Sequence, residues 1–407
     1  MSERHHDAPP SAPVGPTALA GVRVLDLSQV MSGPFCTMIL ADLGADVIKI
    51  ENPSQGDQNR KSWGYSVVGE DSRAFLSLNR NKRSVTLDLK DEEDRSTFLA
   101  LVEDADIVVE NFRPGVTKRL GVDYEVLRAV NPRIVYASIS GFGQTGPYAA
   151  YPGYDLIAQA MTGIMSVTGE PGGAPVKSAI PVADLGSALF CAVGILAALL
   201  ARHETGEGQY LETSLFESAL ALSVWESTEF WSTGRSPEPL GSANRMSAPY
   251  QAIPTKDGYL TIGANNEKLW RKLCAVIDAP GLVADPRFVD NNHRMANRAE
   301  LVAELEERFR TRTTDEWVAA LLAEGVPAGP IRNYADVLLD DPHVKARQMI
   351  ASFDHPVEGR TSVLASPLRL SGTPVRAAAP PPLLGQHNEE ILAELRARHD
   401  QLIRELS

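Results

Sequence analysis

Cysteine is scarce in this chain. Cys36, Cys191 and Cys274 stand far apart and odd in number, which excludes a disulfide framework and a cysteine-based metal spacing. Each lies among apolar residues and reads as a buried free thiol. Positive charge is also in deficit, with 39 Lys and Arg against 52 Asp and Glu and a net charge of −13. No basic stripe stands out, so no nucleic-acid partner is expected. A membrane-length apolar run is missing, because the most apolar stretch, Ala188 to Leu200, is too short to cross a bilayer. The N-terminus is polar and Pro-rich without the apolar centre of a signal peptide. No membrane partner is expected, and the location is expected to be cytoplasmic. No internal repeat is visible.

What is present is ordinary for a soluble globular protein, with 43% hydrophobic and 22% charged residues. A length of 407 residues is enough for two domains. Residues 1–18 lack periodicity and read as a disordered tail, with His5-His6-Asp7 a solvated cluster rather than a metal site. No metal site is expected. Val22 to Leu27 reads as a strand, Pro34 to Leu43 as a helix stopped by Gly44, and Val47 to Glu51 as a second strand. That is a βαβ unit and implies a parallel sheet. Further strands are expected at Val85 to Leu89, Ile107 to Asn111 and Arg133 to Ser138, with a helix from Asp91 to about Asp104. The fold class is therefore α/β, a doubly wound parallel (Rossmann-like) sheet. The loop after the first strand, Ser28-Gln29-Val30-Met31-Ser32-Gly33-Pro34, is not G-x-G-x-x-G, so a nicotinamide oxidoreductase is disfavoured.

A helical stretch is expected over Asp155 to Leu200, broken by glycines after Glu204, and Leu211 to Phe230 reads as a strand end followed by a long helix. The large domain is assigned to 19–230, a Gly-, Pro- and Ser-rich linker to 231–247, a smaller α+β domain to 248–335, and a return segment completing the large domain to 336–407. In the small domain, Asp257-Gly258 signals a hairpin, and Thr313 with Glu316 fits a capping box. A final helix is expected over Asn388 to Leu406, capped by Asn388, with Ile391 and Leu395 on one face.

One carboxylate stands out. Asp184 is the only charged residue between Lys177 and Arg202, and an apolar helix-like run follows it. An uncompensated buried charge is costly. It reads either as an N-cap for that helix or as a desolvated nucleophile beside the first backbone N–H groups. Local sequence favours the cap.

Several segments in order carry a resemblance. They include Gly21-Val22-Arg23-Val24-Leu25-Asp26-Leu27, Ser32-Gly33-Pro34, Ala41-Asp42-Leu43-Gly44-Ala45-Asp46-Val47-Ile48-Lys49-Ile50-Glu51 and Asn79-Arg80-Asn81-Lys82-Arg83-Ser84. Glu110-Asn111-Phe112-Arg113-Pro114-Gly115, Thr205-Gly206-Glu207-Gly208-Gln209 and Leu384-Gly385-Gln386-His387 continue the series. From about residue 19 to the C-terminus the chain resembles the class III CoA-transferases, the group of formyl-CoA and carnitine CoA-transferases. Gly153-Tyr154-Asp155, Pro249-Tyr250-Gln251-Ala252 and Lys256-Asp257-Gly258-Tyr259 are similar to a succinyl-CoA-dependent branch acting on glutarate-like dicarboxylates.

The resemblance implies that Asp184 is the nucleophile, forming a mixed anhydride and then an enzyme thioester, and it reverses the preference for the cap. The backbone N–H groups after Asp184 are expected to stabilise the tetrahedral intermediates. CoA would be held by Val30, Met31, Leu87, Lys90, Asn111, Phe112 and Arg119, with Arg60, Lys82 and Arg83 as weaker phosphate candidates. Read without the resemblance, Lys90 is a solvated charge, Phe112 is core and Val30 is loop packing. Tyr154 and Arg245 are weak substrate candidates. The partners implied are a CoA thioester, a substrate rather than a resident cofactor, and a carboxylic acid; the assembly implied is an interlocked homodimer. Met31 replaces the glutamine of formyl-CoA transferase, and that enzyme's glycine-rich loop has no counterpart, which argues against formate and oxalate. Two alternatives remain. An α-methylacyl-CoA racemase would need a histidine at Tyr154, since a phenol of pKa about 10 is a poor base at neutral pH. A non-catalytic acyl-CoA-binding protein would have no use for Asp184.

Overall fold

A computed structural model describes residues 15–61, 71–377 and 379–406. Most of the expected tail, with His5-His6-Asp7, lies outside the described residues. The chain forms two compact units, one of Met1–Ile164, Ser178–Val224 and His343–Ser407, the other of Met165–Lys177 and Trp225–Pro342. The stretch expected as a linker, 231–247, is part of the second unit's body. Gly241 N–H donates to Gly169 O at 2.8 Å, and Arg245 pairs with Glu229 at 3.0 Å.

In the first unit the chain runs β1 (Arg23–Asp26), α1 (Ser32–Asp42), β2 (Asp46–Glu51), β3 (Lys82–Thr86), α2 (Glu92–Val102) and β4 (Ile107–Glu110). It continues through α3 (Val116–Leu120), β5 (Val135–Ser140), α4 (Asp155–Met161), α5 (Val182–Thr205), β6 (Tyr210–Ser214) and α6 (Leu215–Leu222). The six strands form one parallel sheet in the order β3-β2-β1-β4-β5-β6. This is the doubly wound order, which reverses direction between β1 and β4 and opens a crevice at the carboxyl ends of those strands. The strands are continuous apolar runs because helices cover both faces; Val24, Leu25, Ile107, Val108 and Val109 are fully buried.

The expected helix over Asp155 to Leu200 is instead broken. Helix α4 ends at Met161, and residues 168–181 are irregular before α5 begins at Val182. Gly163, Gly169 and Gly172 turn the chain there with positive φ. α5 is 24 residues long, longer than its most apolar run, and by length and composition alone could cross a membrane. Its inner face, including Ala188, Cys191, Ala192 and Ile195, packs into the core of the unit. Its outer face leaves Leu189, Phe190, Val193 and Leu200 exposed. The expected single helix after β6 is divided at Ser223, between α6 and α7 (Val224–Thr233).

The remaining part of the first unit is a hairpin, β10 (Ile350–His355) with β11 (Gly359–Leu364), and α11 (Asn388–Leu406). Edge strand β3 is covered by the segment before α11. Ser84 N–H donates to His387 Nδ1 at 3.1 Å, and Thr86 N–H donates to Asn388 Oδ1 at 2.9 Å. An edge whose donors are taken in this way cannot pair with another strand. Asn388 was expected to cap α11, but its amide is spent on β3, also donating to Thr86 Oγ1 at 2.8 Å. Ile391 is fully buried, and Leu395 packs on the same cluster.

The second unit has a three-stranded antiparallel sheet in the order β7 (Tyr250–Pro254), β8 (Tyr259–Gly263) and β9 (Ala328–Pro330). Helices α8 (Glu267–Val276), α9 (Arg298–Phe309) and α10 (Thr314–Ala323) supply its core, centred on Trp270, Leu305 and Phe309. The Thr313–Glu316 capping box at the start of α10 is present. Cys36, Cys191 and Cys274 are all buried free thiols.

Candidate active site

The loop after β1 is shaped from beneath by buried charge. Asp26 is fully buried at the end of β1. It accepts hydrogen bonds from Ser28 N at 2.9 Å, Ser28 Oγ, Thr37 Oγ1 at 2.8 Å and Lys82 Nζ at 3.0 Å. Burial opposes its ionisation, but the charges of Lys49 and Lys82 and these hydrogen bonds outweigh burial and hold the carboxyl well below the usual range. Gly33 must lack a side chain, because a Cβ there would stand 2.1 Å from Ser28 Cβ. The next residues of the loop are clasped from outside. Gln29 N–H donates to Asn111 Oδ1 and Asn111 Nδ2 donates to Gln29 O, both at 2.8 Å. Val30 N–H donates to Asp57 Oδ1 at 3.0 Å, and Asn59 Nδ2 donates to Val30 O at 2.7 Å. These contacts hold Val30 at φ 69°, a conformation rare for a β-branched residue and maintained only where its surroundings impose it.

The residues expected to hold CoA thus fall into different roles. Val30 is exposed on the clasped loop and Met31, partly buried, starts α1. The Asn111 amide is engaged with Gln29, so it shapes the crevice rather than reaching freely into it. Phe112 is half-buried against the core, and Leu87 is itself core. Lys90, after β3, and Arg119, at the end of α3, are exposed, and neither has an ion-pair partner among the described residues.

The weaker phosphate candidates are corrected by their partners. Arg60 is buried between Glu51 at 2.7 Å and Asp71 at 2.8 Å. Lys82 is fully buried on Asp26. Arg83 joins Asp46 at 2.6 Å to Glu390 and Glu394 on α11. Arg245, considered for substrate, is also engaged. It pairs with Glu229 at 3.0 Å and Glu226 at 3.5 Å and donates to Glu238 O at 2.6 Å. These partners hold its guanidinium against the acidic side chains of its own unit.

Asp184 lies in the first turn of α5 and is half-buried. As a crossover between parallel β5 and β6, α5 runs back from the carboxyl edge of the sheet, so its N-terminus lies at that edge. Asp184 is not the cap of its helix. The N-cap is Pro181, which supplies no side-chain acceptor. No hydrogen bond to the Asp184 carboxylate is found among the described residues. Burial, with a smaller contribution from the charge of Asp155, pushes its pKa up to about 7. The expected oxyanion donors need revision. Leu185 N–H donates to Pro181 O at 3.0 Å, and later N–H groups belong to the helix. The donors not committed to the helix precede them: Ala183 N–H is taken by Asp155 Oδ1 at 2.9 Å, and those of Val182 and Asp184 have no such partner among the described residues. Tyr154, immediately before Asp155, is 69% exposed.

Two residues at this edge were given no role in the sequence reading. Asp155 appeared only within the Gly153-Tyr154-Asp155 motif. Glu110 is 3% exposed at the end of β4, accepts from Phe112 N–H at 2.8 Å and is pushed up to about 7 by burial. A carboxylate ending an apolar strand was the available signal for Glu110. For Asp155 there was none, because its partner is 28 residues away.

Comparison with known proteins identifies the family. The model of CoA-transferase family III matches residues 19–388. The chain is 38% identical over 388 residues to a human succinyl-CoA:glutarate CoA-transferase, covering 95% of this chain and 88% of that protein. It is 43% identical over 365 residues to an acetyl-CoA:oxalate CoA-transferase of Acetobacter aceti, covering 89% of this chain and 91% of that one. A crystal structure of a CAIB/BAIF family protein from Brucella suis superposes with a TM-score of 0.83 at 40% identity, covering 93% of this chain and all of that one. From ahead of β1 to the start of α11 the likeness is continuous and includes the Asp184 helix: the chain belongs to CoA-transferase family III and is a CoA-transferase.

Proposed function

We propose that the protein moves CoA from succinyl-CoA, or a similar acyl-CoA, to a dicarboxylic acid through covalent intermediates on Asp184. The observation that carries this reading is the half-buried Asp184 carboxylate, without a hydrogen-bond partner among the described residues, at the carboxyl edge of the sheet. The carboxylate attacks the donor thioester carbonyl, forming a mixed anhydride and expelling CoA thiolate. The thiolate attacks the aspartyl carbonyl, forming an aspartyl-CoA thioester and releasing the donor acid. The acceptor carboxylate then attacks that thioester, again expelling thiolate. The thiolate takes the acceptor acyl group and frees Asp184. One thioester replaces another of similar energy, and covalent catalysis divides the exchange into easier steps. The N–H groups of Val182 and Asp184 are the donors for the tetrahedral oxyanions. Val30, Met31 and Phe112 line the CoA crevice, with Lys90 and Arg119 for its phosphates.

The succinyl and dicarboxylate assignment rests on the human relative, and the Acetobacter relative puts oxalate among the acceptors to be tried. A racemase is not favoured, because Tyr154 stands where that reaction needs a base of near-neutral pKa. We also assign an interlocked homodimer in the cytoplasm. The exposed apolar residues of α5, Leu189, Phe190, Val193 and Leu200, support a second copy as the covering partner.

Incubation with succinyl-CoA and a panel of carboxylic acids, followed by mass spectrometry with hydroxylamine trapping, tests the reaction. A new thioester with Asp184 converted to a hydroxamate is expected. Transfer without any trapping would remove the aspartyl mechanism, and absence of transfer to every dicarboxylate would remove the substrate class. Lys90→Ala is expected to raise KM for CoA thioesters about five- to tenfold, corresponding to about 1 kcal/mol of lost binding, with kcat little changed. An unchanged KM would make Lys90 a solvated charge.

A further inference from the structure

We infer that Asp155 is a positioning residue for Asp184: held on α4 by Gln159, it occupies the Ala183 N–H at the start of α5 and keeps the Asp184 carboxylate from folding back onto its own helix end. The inference rests on the nucleophilic reading of Asp184.

Both carboxylate oxygens of Asp155 are engaged. Its Oδ1 accepts from Ala183 N at 2.9 Å and its Oδ2 accepts from Gln159 Nε2 at 2.6 Å. Gln159 is fully buried, and its Oε1 accepts from Ser178 N at 2.9 Å. That bond fixes which end of the amide faces Asp155, so the amide presents donors and Asp155 Oδ2 accepts from it. α5 lacks a side-chain cap of its own, and Asp155 supplies one from another helix. An acidic side chain in the first turn ordinarily reaches back to the helix's free N–H groups, attracted by the helix dipole. With Ala183 N–H occupied, the negative charge of Asp155 beside the helix end repels the Asp184 carboxylate from the Val182 and Asp184 N–H groups that stay open there. A carboxylate left without such bonds retains its basicity and stays available to attack a carbonyl. Of the other elements packed on the start of α5, α6 brings Leu222 and Ser218 toward Gly186, and its Glu217 is turned onto Ser214 Oγ at 2.6 Å. Asp155 is the charged group acting on Asp184.

The test reads the Asp184 carboxyl in the free enzyme, by NMR titration of protein labelled with γ-carbon-13 aspartate and assigned with Asp184→Asn. In Asp155→Asn the amide oxygen can still accept from Ala183, but the charge is gone. The Asp184 titration is expected to move down by about one pH unit, and the acid limb of the kcat/KM profile to move with it. Asp155→Ala frees the Ala183 N–H as well, and is expected to move the titration further and lower kcat about tenfold or more with KM for the CoA thioester little changed. Gln159→Met, which leaves both aspartates in place, is expected to give a smaller shift in the same direction and guards against misfolding of Asp155→Ala. A folded Asp155→Asn enzyme whose Asp184 titration does not move would overturn the inference. Because the titration needs no substrate, it is separable from the transferase reading: a shifted titration in an enzyme that transfers no acyl group would remove the nucleophile and keep the coupling of the two carboxyls.

Discussion

Asp184→Asn is expected to lower kcat for CoA transfer about ten-thousand-fold or more, in line with removal of other enzymes' covalent nucleophiles, while CoA thioesters still bind. The amide preserves shape but cannot form the anhydride. Isothermal titration with a CoA thioester and single-turnover kinetics separate the two effects, and appreciable turnover by this variant would exclude Asp184 as nucleophile. The same substitution carries a stability signature. The Asp184 carboxyl is raised from 3.8 to about 7, so between those pH values the folded protein keeps a proton that the unfolded chain has released. Stability therefore falls as pH rises through that window and remains lower above it. Asparagine has no such dependence. The Tm of Asp184→Asn should exceed that of the parent above pH 7, and the difference should close as pH approaches 4. The proposed nucleophile is then a residue the fold would be more stable without.

Lys82→Met is expected to destabilise the first unit by about 3–5 kcal/mol, the usual cost of breaking a buried ion pair from one side. Lys82 Nζ is fully buried and donates to Asp26 Oδ2 at 3.0 Å, Pro34 O at 3.0 Å and Asn79 Oδ1 at 2.8 Å. Methionine fills a similar volume but leaves those acceptors without their shared donor. Asp26 then keeps Ser28, Thr37 and Lys49, the last at 3.8 Å. Because Asp26 also holds Ser28, the loop bearing Val30 and Met31 should loosen as well. Urea unfolding followed by far-ultraviolet dichroism measures the loss. Unchanged stability with a raised KM for CoA thioesters would restore Lys82 to the role of phosphate ligand.

The sequence by itself determined the parallel sheet, because buried parallel strands are uninterrupted apolar runs such as Ile107-Val108-Val109, and each is a local signal. It determined the Thr313–Glu316 capping box for the same reason, since both partners lie within one turn. Ordered motifs from residue 19 onward were enough to indicate the family. Tertiary structure decided which charges are available. Arg60, Lys82, Arg83 and Arg245 look in sequence like Lys90 and Arg119, yet the first group is spent on carboxylates, in the case of Arg83 as far away as Glu390 and Glu394. Ion pairing depends on which strands and helices the fold brings together, and no local period encodes that. The same reason hid from the sequence that Asp184 is not the cap of its helix: the N-cap is Pro181, and the Ala183 N–H is taken by Asp155 from a different helix.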